Sequence, residues 1–230
     1  MTDRIVILTG AGLSAESGLD TFRSAGGVWS QVRLEDVATP EAFARDPARV
    51  HAFYNARRQG AAAVDPNAAH KALARLQKNH PGAVTIVTQN VDSLHEAAGA
   101  QVIHMHGQLD QALCAACNHR WPAPIEMQPH QTCPNCGQQT TRPDIVWFGE
   151  IPYHMERIDA VLSDATLFAA IGTSGQVYPA AGFVEIAAAA GARTIELTLE
   201  PSAVSQLFDE TDHRKATEAV PAWVDRLLAG

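Results

Sequence analysis

Four cysteines are the whole cysteine complement of this chain, and all lie between positions 114 and 136. They form two Cys-x2-Cys hooks, Cys114/Cys117 and Cys133/Cys136, separated by 15 residues. Hooks at this spacing can close four thiolates around one Zn²⁺, and four thiolates leave no open position for water, so such a site is structural. Free thiols or a redox pair are the alternative. A second chemical signal lies near the N-terminus, where Gly10-Ala11-Gly12-Leu13-Ser14-Ala15 fits G-x-G-x-x-G/A, a loop that lets backbone approach a pyrophosphate. Plain turn glycines account for the loop alone equally well. Ten histidines make a lone histidine uninformative. His106 is set apart by its place between a short apolar segment and Gly107, and imidazole titrates near neutral pH, as a general base should. Gln89-Asn90-Val91-Asp92 ends a neighbouring apolar run, where a turn or helix cap is the simpler reading. Tyr54 and Arg57, three apart in a helical stretch, share a face and could together grip a carboxylate.

The elements that must position these groups alternate. Strands are expected at Arg4–Thr9, Ala83–Thr88, Gln101–His104, Ala165–Ile171 and Arg193–Leu199. Helices are expected near Pro47–Ala63, Pro66–Lys78, Ser93–Ala98, Tyr178–Ala190 and Ala219–Leu228. Such alternation argues for an α/β fold, a parallel sheet with helices on both faces. In such sheets ligands gather at the carboxyl ends of the strands. The polar and glycine-rich motifs fall there: GAG, TQN, HMHG, GTS and TLE. The acidic residue that a dehydrogenase carries about 20 positions after the glycine loop is missing. Glu200, expected to close the fifth strand, is the candidate ribose contact instead. The segment 113–142 is poor in large aliphatics and needs a metal staple.

The chain has 230 residues with 46% hydrophobic content, enough for one core with a small appended module, and a formal charge of −8. An acidic chain has no general attraction for nucleic acid or anionic lipid. The apolar run Ile5–Leu8 is too short for a signal-peptide core or a membrane span. A cytoplasmic monomer without nucleic-acid or membrane partners is expected.

Gly10–Trp29 (GAGLSAESGLDTFRSAGGVW) resembles the signature of the sirtuin family. Similar family blocks follow in order: Gln89–Asp92, His104–Gly107, Ile145–Glu150, Gly172–Ser174 and Thr198–Glu200. The resemblance covers nearly the whole chain and implies a single catalytic domain over 1–230: a Rossmann-like sheet with a zinc-binding module inserted at 113–142. It implies an NAD-dependent protein-lysine deacylase, with NAD+ as cosubstrate, one structural Zn²⁺, and acylated lysine peptides and proteins as partners. NAD+ would be held by Gly10, Ala11, Gly12, Ser14, Ala15, Glu16, Thr21, Phe22, Arg23, Trp29, Gln89, Asn90, Asp92, Gly172, Thr173, Ser174, Thr198, Glu200 and Ala216.

In the implied mechanism the substrate amide oxygen attacks the anomeric carbon as nicotinamide leaves. His106 then takes a proton from a ribose hydroxyl, and the products are free lysine, nicotinamide and O-acyl-ADP-ribose. Asn90 would orient a ribose hydroxyl or water, Asp92 would hold the carboxamide, and Phe22 and Arg23 would screen the ribose from water. Sirtuins that remove succinyl and malonyl groups carry Tyr-x-x-Arg where Tyr54 and Arg57 stand, so acidic acyl groups are expected beside acetyl. The peptide would add as a strand between two segments, Val146, Phe148, Gly149 and Glu150 on one side and Val177 and Tyr178 on the other. Thr198 replaces an asparagine common in the family, and Ala216 is the nearest match to the usual adenine contact. A dehydrogenase, an ADP-ribosyltransferase and a non-catalytic reader are the rival readings.

Overall fold

The computed structural model describes residues 3–19 and 33–229. Its main sheet has six parallel strands: β1 (Ile5–Thr9), β2 (Val84–Thr88), β3 (Val102–His104), β7 (Leu167–Ile171), β8 (Arg193–Leu197) and β9 (Glu210–Asp212), in the order β3-β2-β1-β7-β8-β9. The direction of winding reverses between β1 and β7, which opens a crevice at their carboxyl ends. A second, three-stranded antiparallel sheet is built from β4 (Gly107–Cys114), β5 (Arg120–Pro122) and β6 (Thr141–Ile145), in the order β5-β4-β6. This sheet therefore starts six residues before, and ends three residues after, the cysteine-rich stretch expected from sequence.

Alternation along each strand sorts the core into two layers. Ile5, Ile7, Ile86, Leu167, Ala169, Ile171, Ile195 and Leu197 face one side, under α4 (Ala68–Asn79) and α8 (Ala216–Ala229). Val6, Leu8, Val87, Ile103, Phe168 and Ala170 face the other, under α6 (Met155–Ser163) and α7 (Phe183–Ala189). Every residue of β1 and of β7 is buried, which is why both read as continuous apolar runs. A third cluster joins α2 (Pro40–Arg45) and α3 (Pro47–Ala62) to the antiparallel sheet through Ala42, Phe53, Tyr54, Leu109, Ile145 and Trp147.

Local signals set the helix starts. Asp46 accepts the Arg49 amide and Pro47 opens α3. Asn67 caps α4 by accepting from Ala69 and His70, and donates to Leu13 O (2.8 Å) and Ser17 Oγ (3.0 Å). One asparagine thus fixes a helix start and ties it to the glycine loop. Two expectations need correction. The helix expected from Tyr178 begins at Phe183, after a 3-10 turn at Ala180–Gly182. The fifth strand ends at Leu197; Thr198 still bonds Asp212 O and His213 Nδ1 beside β9, and Glu200 lies exposed three residues beyond the strand.

Candidate active site

The two glycine turns at the crevice touch each other. Gly10 N donates to Ile171 O and Gly12 N to Gly172 O. A Cβ on Gly10 would lie 2.8 Å from Gly172 O, and one on Gly12 would lie 2.9 Å from Gly172 Cα. Gly172 has φ +61, and a Cβ there would meet Leu13 N at 2.4 Å. These glycines therefore serve close approach of two strand ends. The amides of Gly10 and Gly12 are spent on that packing and do not face a phosphate. α1 (Ala11–Ala15) follows at once, with Ser14 buried.

Ser14 is the centre of a directed chain. Asn90 Nδ2 donates to Gly10 O (3.0 Å) and to Ser14 Oγ (3.1 Å). Ser14 Oγ then donates to Asp92 Oδ2 (3.1 Å). Asp92 Oδ1 also takes the Leu94 amide at the start of α5 (Leu94–Ala97), so one carboxylate caps the helix and ends the Ser14 chain. Burial pushes the Asp92 carboxyl above its usual range, against the pull of those two hydrogen bonds and of the His104 and Arg57 charges.

His104 and His106 stand two residues apart in opposite states. His104 Nδ1 faces Asn90 O (3.0 Å) and Nε2 faces Glu96 Oε1 (2.7 Å). Both partners only accept, so both nitrogens carry protons. Burial alone would lower this imidazole, but Glu96 and the Asn90 carbonyl outweigh it and raise its pKa. His106 Nδ1 faces Gln89 O (3.2 Å) and must donate there, which leaves Nε2 as the lone-pair nitrogen of the neutral ring. Burial lowers the His106 pKa, with the Gln89 bond opposing. The ring is held by its backbone: His106 O accepts the Val146 amide (2.9 Å). Gly107, at φ +82, lets β6 pass so close that a Cβ would sit 2.0 Å from Asp144 O.

Beneath the site lies a layer that sequence reasoning missed. His70 Nε2 is 3.5 Å from Ser14 Oγ, and its ring packs edge-on against His95 at 5.0 Å. His95 Nε2 contacts Thr9 Oγ1 (3.0 Å), which donates to Thr88 Oγ1 (2.8 Å). The available signal was position: His70 falls in the buried stripe of α4 with Ala69, Ala72, Leu73 and Leu76.

At the far side of the crevice, Thr198 is buried, and its Oγ1 has no partner among the described residues; the same holds for Gln89 Nε2. Polar atoms orphaned at a strand end are open to a bond from a ligand or from water. Ala216 begins α8, and Glu16 is committed to the next residue, Thr217. Thr173 and Ser174 follow Gly172, half-buried at the same strand ends. Thr21, Phe22, Arg23 and Trp29 lie outside the described residues.

Tyr54 and Arg57 come together on α3. Tyr54 is buried, with its phenol pushed up to about 12 by burial. Burial pulls the Arg57 guanidinium down, opposed by Tyr54 and by Asp92, so Arg57 lies within electrostatic reach of the Ser14–Asp92 chain. Phe148 and Tyr178 are exposed large side chains, at 53% and 70%, on the two segments expected to flank a peptide. Val146, Gly149 and Val177 are not fully buried there. Glu150 is otherwise engaged: its carboxylate takes Arg142 at 2.6 and 2.8 Å and the Trp147 amide at 2.8 Å, leaving its backbone for any peptide contact.

The four cysteine sulfurs lie within 4.8 Å of one another, and none is in a disulfide. Cys114 and Cys136 Sγ are 3.6 Å apart, and Cys117 and Cys133 Sγ 3.8 Å. A tetrahedron with Zn–S of about 2.3 Å has edges of about 3.8 Å, so the donor set fits zinc. The two hooks are copies of one turn. Asn118 N bonds Cys114 O and Gly137 N bonds Cys133 O, with φ 57 and 74 after the second cysteine.

A profile described as the Sir2 family matches residues 10–179. A Caulobacter vibrioides protein called NAD-dependent protein deacylase is 53% identical over 98% of this chain and 97% of its own length. A Vibrio parahaemolyticus protein of the same description is 52% identical, covering 98% of this chain and 95% of its own. A solved Sir2 homolog–NAD complex superposes with TM-score 0.90 at 36% identity, over 97% of this chain and 88% of the other. A glycine crevice backed by a neutral histidine and an Asn–Ser–Asp chain, a four-thiolate module and these full-length likenesses converge: the chain belongs to the Sir2 family.

Proposed function

We infer that this Sir2-family chain is an NAD-dependent protein-lysine deacylase that releases free lysine, nicotinamide and O-acyl-ADP-ribose, and that it takes acetyl and acidic acyl groups such as succinyl and malonyl. The observation that carries the catalytic reading is His106, a neutral imidazole whose Nδ1 is fixed on Gln89 O, so that Nε2 can accept a proton. NAD+ supplies the reactive anomeric carbon when bound. The chain supplies position. The Asn90 amide bonds Gly10 and Ser14 through Nδ2, which leaves Oδ1 to accept a ribose hydroxyl. Asp92, oriented by Ser14 and Leu94, can receive the carboxamide. Thr198 Oγ1 and Gln89 Nε2 offer unused polar contacts for ribose and phosphate. Glu200, Thr173 and Ser174, exposed or half-buried just after their strands, complete the proposed NAD+ contacts.

The likeness to proteins called deacylases extends the substrate reading to acylated proteins, and the −8 charge suits lysine-bearing peptides. Tyr54 and Arg57 form the clamp for a distal carboxylate, the phenol held protonated and the guanidinium charged. We assign residues 113–142 as the zinc-binding module of a single catalytic domain spanning 1–230. No described helix is long and apolar enough to cross a membrane. Thiols gathered for a metal suit a reducing compartment, so we place the protein in the cytoplasm.

Mass spectrometry of one peptide bearing acetyl- or succinyl-lysine, with and without NAD+, tests this reading. Acyl loss that requires NAD+ and vanishes in His106→Ala supports it, and selective loss of desuccinylation in Arg57→Ala supports the clamp. NAD+ binding without acyl loss from either peptide would refute it.

A further inference from the structure

We propose that Trp147 determines acyl specificity by positioning Tyr54: the indole N–H occupies the phenolic oxygen and leaves the phenolic proton for the carboxylate of an acidic acyl chain. The proposal rests on the clamp reading of Tyr54 and Arg57 and deepens it.

Trp147 Nε1 lies 3.0 Å from Tyr54 Oη, with both residues 2% exposed. An indole nitrogen can only donate, so the tyrosine must accept. A phenol that accepts here has its own proton to give elsewhere. Among the described residues no acceptor takes it. A carboxylate is an acceptor alone, and the phenolic proton is the donor left to meet it. Acetyl carries no such group and gains nothing from the arrangement.

The indole is itself fixed by a cation, a backbone bond and a second ring. The Arg142 guanidinium carbon stacks 3.5 Å from the centre of its ring. That guanidinium is held by both oxygens of Glu150 and by Ile145 O (2.7 Å). Glu150 Oε2 also receives the Trp147 amide, so one carboxylate anchors the backbone and the cation that stacks on the side chain. Phe43 packs at 5.2 Å. An ion pair with one partner buried and the other half-buried returns little net stability once desolvation is counted. Its geometry here orients one ring, and through that ring one hydroxyl.

The test compares kcat and KM for succinyl- and acetyl-lysine versions of one peptide across wild type, Trp147→Phe, Tyr54→Phe and the double variant. A fifth protein carries 3-benzothienylalanine at 147, which keeps the indole shape without the N–H and covers the case in which phenylalanine does not pack. Losing one hydrogen bond that orients a charged contact should lower the succinyl/acetyl ratio of kcat/KM roughly tenfold, mostly through succinyl KM. In the Tyr54→Phe background, removing the indole N–H should change the ratio no further. If Tyr54→Phe lowers the ratio but neither 147 variant does, the Trp147 proposal is overturned and the clamp stands. If Tyr54→Phe itself leaves the ratio unchanged, the clamp reading fails and the proposal with it.

Discussion

Glu16, on the turn after the glycine loop, reaches 201 residues along the chain to cap α8: its Oε2 accepts the Thr217 hydroxyl at 2.5 Å and its Oε1 accepts the Thr217 amide at 3.3 Å. A carboxylate at a helix N-terminus satisfies orphan amides and suits the helix dipole. The same contact holds Ala216, at the proposed adenine end, against the loop that carries Ser14.

Replacing Glu16 with alanine should therefore do two things. It should cost about 1 kcal/mol of stability, as the loss of a helix cap usually does. It should also raise KM for NAD+ more than it lowers kcat, because no group near the reacting ribose is touched. Denaturant melts and NAD+ saturation curves check both. Thr217→Val removes the hydroxyl partner without changing loop charge, and should reproduce the stability loss. A kcat collapse in Glu16→Ala would instead place its carboxylate in the chemistry.

The acid limb of the pH profile should report His106. Burial lowers its pKa from the ordinary value near 6.5, so the catalytic free base persists to more acid pH than for a solvated histidine. The acid limb of kcat/KM for deacetylation should fall below 6.5, and His106→Ala should lose activity by roughly 10²- to 10⁴-fold. A limb above 6.5 would argue that a different group is the base. His104 has both ring nitrogens on acceptors, Asn90 O and Glu96 Oε1, and so offers no free lone pair for that role.

Sequence alone made the sheet and its chemistry legible because β1 and β7 are buried on both faces and end in glycine. Short continuous apolar runs that stop at turn residues fit a strand covered on both faces better than they fit a helix. The cysteine hooks were legible for a similar reason, since their spacing is set by one tight turn used twice. What stayed hidden was decided by tertiary partners. β9 is three polar residues, Glu210–Asp212, and pairs only because β8 lies beside it. Arg142 and Trp147 sat in or beside recognisable motifs, but nothing in their spacing says that Arg142 stacks on Trp147 or that Trp147 meets Tyr54, 93 residues away. Nor does the glycine-loop motif that includes Glu16 say that this carboxylate also caps a helix 201 residues away.

Zinc removal should affect the acyl pocket before the base. Asn55 and Arg58 on α3 hold the module: Asn55 exchanges two 2.9 Å bonds with the Met127 backbone, and Arg58 donates to Leu109 O, Ile125 O and Met127 Sδ. Tyr54 and Arg57 lie on the same helix. Cys136 is exposed, so a chelator has access. Metal analysis should find one zinc per chain. Its withdrawal should lower Tm and raise KM for succinyl peptide more than for acetyl peptide. An equal rise for both would mean that the module does not act through α3.

Acid should unfold this protein early, and three buried histidines say why. His51 and His70 are lowered to about 4 and His95 to about 3, each chiefly by burial. Below pH 6.5 the unfolded chain protonates these rings while the folded chain does not, so stability is lost as pH falls from 6.5 toward the folded values. At pH 5 each group costs at most about 2 kcal/mol by this linkage. The buried His51 ring packs edge-on against Phe43 and has the Thr141 backbone as a polar neighbour, with no hydrogen bond of good geometry to either ring nitrogen among the described residues. His51→Leu should therefore leave Tm near its wild-type value at pH 8 and raise it by roughly 4 °C at pH 5. Equal Tm shifts at both pH values would show that the gain is packing alone and that His51 takes no part in the acid transition.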